Sequence, residues 1–128
     1  MMMRIALLLP FLLWPVLACA QHEGHSHQGG QEVKIGNYQV ELVVKGNDAT
    51  LFVNDAKDEK INTSGFTATA VVLAKGNQQK SVEFAPGGDN KLVGKIDFAV
   101  EGKLRATVTL KNAGSEVGKG RYNMDIAR

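Results

Sequence analysis

The chain has 128 residues, of which 44% are hydrophobic, 22% charged and 6% aromatic, with 14 glycines and a single cysteine. One domain fits this length and a second of ordinary size does not. Fifteen Lys and Arg stand against thirteen Asp and Glu, so net charge singles out neither nucleic acid nor an anionic membrane as a partner. The apolar fraction is too high for a disordered chain, and one cysteine excludes a disulfide framework.

Residues 1–20 (MMMRIALLLPFLLWPVLACA) carry a basic start at Arg4, an apolar run from Ile5 and a small-residue end at Ala18-Cys19-Ala20. This layout predicts a secretory signal peptide and a periplasmic or secreted product. The apolar run falls short of the roughly 20 residues that span a bilayer, and Pro10 and Pro15 interrupt it, so no transmembrane segment is expected in the mature chain. Ala18 and Ala20 suit ordinary signal peptidase, leaving Gln21 first. Val16-Leu17-Ala18-Cys19 is an imperfect lipobox that would instead leave a lipid-anchored Cys19.

Residues 21–31 (QHEGHSHQGGQ) contain no apolar side chain. Burying nothing, they cannot offset the cost of ordering and read as a flexible tail. Residues 32–128 then alternate with period two, the mark of strands with one face on a core. Tyr38, Val40, Leu42 and Val44 share a face, as do Phe66, Ala68, Ala70 and Val72, and later Leu104, Ala106, Val108 and Leu110. Val82 with Phe84, and Leu92 with Ile96 and Phe98, repeat the pattern; the stretch from Val117 to Met124 is less regular because Gly118 and Gly120 weaken it.

Turn chemistry separates the runs at Gly46-Asn47-Asp48, Gly76-Asn77, Gly87-Gly88-Asp89-Asn90 and Asn112-Ala113-Gly114. Six or seven strands at this spacing predict an all-β fold, a single antiparallel immunoglobulin-like sandwich of about seven strands, with a small closed barrel as the alternative. The connection from Asp55 to Gly65 holds Asp55, Asp58 and Glu59 without EF-hand spacing, and reads as a solvated loop.

All three histidines, His22, His25 and His27, lie within six residues, with Glu23 between them. Imidazoles on a flexible segment can converge on one ion, so these four residues are the candidate metal ligands, for Cu(II), Zn(II), Ni(II) or Co(II). A ring pKa of about 6.5 leaves the imidazoles mostly neutral at pH 7, and binding should fade below about pH 6. Removal of residues 1–20 leaves Met124 as the remaining methionine, which excludes a Met-rich copper(I) patch. The strand-forming body contains neither histidine nor cysteine, so the commonest general base and strongest nucleophile are missing, and no enzyme is expected.

The opening HEGHSHQGGQ, then GNYQVELVV, LFVNDAKDEKINTSGFTATAVVL, KSVEFAPGGDNKLVGKIDF and LRATVTLK, resembles small periplasmic β-sandwich proteins related to the N-terminal domain of heavy-metal efflux pump adaptors, the YtkA-like group. The resemblance implies a periplasmic sandwich that sequesters or delivers metal ions beside components of an efflux system, with His22, His25 and His27 carried over. It lacks the hairpin, lipoyl-like and barrel parts of an adaptor and the methionine cluster of copper-delivering members. Two other functions fit the sequence. One is a non-catalytic protein-interaction module using a strand edge near Val117 or Tyr122; the other is a surface lipoprotein.

Overall fold

A computed structural model describes residues 29–74, 78–100 and 102–126. They form eight strands and no helix: β1 (Gln31–Ile35), β2 (Tyr38–Lys45), β3 (Asp48–Asn54), β4 (Phe66–Leu73), β5 (Gln79–Pro86), β6 (Lys91–Lys95), β7 (Gly102–Asn112) and β8 (Ser115–Ile126). The all-β, antiparallel architecture is the one the alternation predicts. The layering differs. Eight strands, not seven, are hydrogen-bonded in one series, β1-β2-β3-β6-β5-β4-β7-β8, instead of dividing into two separate sheets.

The extra strand is β1. Two-residue turns join it to β2 and join β2 to β3, each starting on a glycine of positive φ, Gly36 at 62° and Gly46 at 59°. A positive φ at the first turn position matches the twist of a tight hairpin, and it fixes the β1–β2 register from Ile35↔Tyr38 to Gln31↔Leu42. The β4–β5–β6 meander is inserted in reverse between β3 and β7, so the β3–β4 and β6–β7 connections both cross over it.

Two four-stranded halves face each other across the core. Val40, Leu51 and Leu92 point in from one half, and Val82, Val108 and Leu110 from the other, all nearly fully buried. Small residues at Ala68, Ala70 and Ala106 are buried beside them and leave room for the larger chains opposite. Tyr38 and Phe66 meet edge to face at one end of the core, with centroids 5.4 Å apart.

The halves are joined differently on their two sides. On one, β5 and β6 pair only at Ala85↔Val93 and Pro86↔Leu92. On the other, β1 packs beside β8, and the Asn123 backbone N–H donates to Gln31 Oε1 at 2.8 Å. The sheet is nearly closed there because β8 presents glycine to β1. A Cβ on Gly120 would lie 2.7 Å from Ile35 Cγ1 and 3.0 Å from Val33 Cγ1. Gly118 and Gly120 do not end the last strand, and the irregularity expected near Val117 is present as a bulge. β8 runs unbroken for 12 residues, with one bulge opposite Leu110 and Lys111.

The Asp55–Gly65 connection is the largely exposed loop expected, and it is also tied down at several points. Asp55 Oδ1 accepts the Lys57 and Glu59 backbone N–H groups at 2.8 and 2.9 Å. Thr63 is fully buried, and its hydroxyl donates to the Lys91 carbonyl at 2.8 Å.

Candidate functional site

The sequence-predicted ligands His22, Glu23, His25 and His27 lie outside the described residues, as do residues 1–20. Gly29 and Gly30 lead directly from that segment into β1. Gly30 lies flat against β2, where any Cβ would overlap the Leu42 carbonyl, and its N–H donates to Glu41 Oε2 at 2.8 Å. The chain just past the histidines is thus pinned beside a buried carboxylate.

Glu41 is one of a pair. The tight Gly36-Asn37 turn sets Glu32 directly opposite Glu41 on neighbouring strands, on the face turned away from the apolar core. Side chains at such positions are close neighbours, about 5 Å apart at Cβ. Glu32 is 7% exposed and Glu41 2%, unusual for carboxylates, which stay in water unless they are paired. The two lie at one side of a cleft of about 240 Å³ that also takes in Asn54, Asp58, Lys60 and Asn90. The amides are fixed in a chain: Asn90 Nδ2 donates to Asn54 Oδ1 at 3.0 Å, and Asn54 Nδ2 donates to Asp58 Oδ1 at 3.1 Å.

The negative field of the pair reaches the other side of the sheet. Tyr122 is 1% exposed, and its hydroxyl donates to the Val40 carbonyl at 2.8 Å. Burial holds its phenol well above the ordinary tyrosine range, and the charges of Glu32 and then Glu41 push it further the same way. Tyr122 is thus a core residue rather than an accessible edge position. Val117, the other proposed edge residue, packs against the core, and Gly36 lies beside it.

Glu32 and Glu41 offer hard oxygen donors in a low-dielectric cleft, so the arrangement favours a cation over an anion. Among the described residues, no three His, Cys, Asp or Glu side chains are grouped closely enough to hold a metal ion. The pair was invisible to strand periodicity, which reads Glu41 as an ordinary outward residue of β2. The register of the Gly36-Asn37 hairpin is the signal that would have revealed it.

Comparison with known proteins gives no match to any family model, curated protein or solved structure. Among the described residues, no helix is long and apolar enough to cross a membrane.

Proposed function

We propose that this protein is a periplasmic or secreted accessory protein that binds divalent transition metal ions, in the service of heavy-metal resistance or efflux. His22, His25 and His27, helped by Glu23, are the capturing ligands, and Cu(II), Zn(II), Ni(II) and Co(II) are the candidate cargoes. The resemblance to the YtkA-like sandwiches points the same way, as does the signal-peptide pattern of residues 1–20.

One observation supports this reading above the rest. The histidine segment joins the fold beside the Glu32–Glu41 pair, through the Gly30 N–H bound to Glu41. His27 stands three residues before Gly30, a stretch that spans up to about 10 Å when extended. The histidines therefore enter the fold beside a negative pair whose field favours cations nearby, and the mixed nitrogen and oxygen donors His22, His25, His27 and Glu23 suit Zn(II), Cu(II), Ni(II) and Co(II).

Isothermal titration of the mature protein with each of the four ions is the test. The expected result is binding of an ion with modest affinity, limited by the cost of ordering the segment, that falls below about pH 6 as the imidazoles protonate. Equal affinity in a variant with His22, His25 and His27 all changed to alanine would overturn the reading.

Edge recognition of a partner strand receives less support. The two ends of the strand series, β1 and β8, pack on one another, and Tyr122 is buried.

A further inference from the structure

The outward face of β7 and β8 carries a second constellation, remote in chemistry from the carboxylate cleft. Registry places Arg105 opposite Asn123 and Thr107 opposite Arg121. The four side chains occupy the corners of a square, with the two arginines on its diagonal. Diagonal cross-strand neighbours lie about 7–8 Å apart, the right separation for two long guanidinium groups to converge on a small ligand. Both arginines are exposed, and among the described residues neither has an ion-pair partner. Lys103, one position further along the same face, is by contrast engaged by Asp125 at 3.1 Å.

Behind the square, β4 supplies an apolar shelf. Val71 stands opposite Thr107 and Leu73 opposite Arg105. Val71 is 41% exposed, one of the two large apolar side chains that stand well out into water among the described residues. Together these residues bound a depression of about 510 Å³. Lys119, two residues before Arg121, adds a third positive charge; the carboxylates on the same surface are Asp125, held by Lys103 next to the square, Glu116 opposite Lys111, and Glu83 on β5, two strands away from β7.

We propose that Arg105 and Arg121 form a binding site for a phosphoryl group, with Thr107 and Asn123 as neutral donors and Val71 and Leu73 receiving the apolar body that carries it. A carboxylate brings one negative charge and two oxygens, whereas a phosphoryl group brings up to two charges and three outward oxygens, so two cationic forks with a hydroxyl beside them match the phosphoryl group better. Net charge gives no sign of this site, because it does not register grouping, and register sets Lys103, Arg105, Lys119 and Arg121 on one face. The site is independent of the metal-binding reading.

The phosphoryl group can belong to a soluble phosphate ester or to a lipid headgroup, and the two sources separate experimentally. Mature protein labelled with 15N is titrated with inorganic phosphate, and in parallel is floated with vesicles of phosphatidylcholine containing phosphatidylglycerol. Three variants accompany it: Arg105→Gln with Arg121→Gln, Arg105→Lys with Arg121→Lys, and a charge control, Lys45→Gln with Lys57→Gln, on exposed sites elsewhere.

The expected result is binding of at least one probe, with phosphate-induced amide shifts confined to residues 105–107 and 121–123. The glutamine pair should lose it by at least about tenfold, since each cation contributes roughly fivefold at an anionic surface. The lysine pair should recover only part, because lysine keeps the charge and loses the fork. Response to phosphate identifies a soluble ester as the ligand class, and response to vesicles alone identifies a headgroup. Binding of neither probe overturns the proposal, as does an equal loss in the Lys45 and Lys57 control. Unchanged circular dichroism of the glutamine pair ensures that a loss is read at the site and not through unfolding.

Discussion

Closure of the sheet depends on one missing side chain, and Gly120→Ala measures it. The added Cβ would sit 2.7 and 2.8 Å from Ile35 Cγ1 and Cδ1 and 3.0 Å from Val33 Cγ1. Ile35 is fully buried, so its side chain cannot swing into solvent, and overpacking of this kind costs about 1–3 kcal/mol. Replacing glycine returns about 0.5–1 kcal/mol by restricting the unfolded chain. The net is a loss of about 1–2 kcal/mol, which for a domain of this size lowers Tm by roughly 5–15 °C.

Ile35→Val removes the crowded Cδ1 and alone costs about 0.5–1.5 kcal/mol. In Gly120→Ala it should recover stability, giving a favourable coupling of about 1 kcal/mol in the double-mutant cycle. Urea unfolding followed by circular dichroism provides all four free energies. Additive effects, or a Gly120→Ala protein as stable as the parent, would refute close packing of β1 on β8.

Three further outcomes are expected. Above the unfolded tyrosine pKa of about 10, the folded protein keeps the Tyr122 proton that the unfolded chain releases. Stability should therefore be level below that pH and then fall by about 1.4 kcal/mol per pH unit, a slope that Tyr122→Phe removes in urea titrations between pH 8 and 11. Ala113 holds a left-handed φ of 53° ahead of Gly114 at 85°, so Ala113→Asn, which suits that conformation, should raise Tm by several degrees, equivalent to about 0.5–1 kcal/mol. Thr63→Val deletes the buried hydroxyl bound to the Lys91 carbonyl, and should cost about 1–2 kcal/mol in urea unfolding without altering metal titration.

The strands with clean alternation were legible in the sequence. Phe66, Ala68, Ala70 and Val72 are all buried, as are Leu104, Ala106, Val108 and Leu110. β1 was not, because only Val33 and Ile35 are apolar in QEVKI. It becomes a strand through the tight turn at Gly36 and the space that Gly118 and Gly120 leave for it, both long-range facts. Periodicity likewise overextends the β6 pattern, since Ile96 is buried but lies past the strand end at Lys95.

Periodicity says which face of a strand is covered and nothing about which strand lies next to it. The order of the series, and with it the difference between two sheets and one nearly closed one, therefore had no local signal. The same holds for the sites. The Glu32–Glu41 pair and the Arg105–Arg121 diagonal exist only once register is fixed, whereas the histidine cluster is written in consecutive residues.

The brief ladder between β5 and β6 has a mechanical consequence. It spans two positions, and the second is Pro86, which has no amide proton to contribute. Within the hydrogen-bonded series the wall is thinnest along that line, and thermal breathing should part the series there first. Amides near Val93 would then exchange with solvent ahead of those in β7. A copy caught in the parted state could lend β6 to another chain, so exchanged dimers are the misassembly to look for when this protein is concentrated.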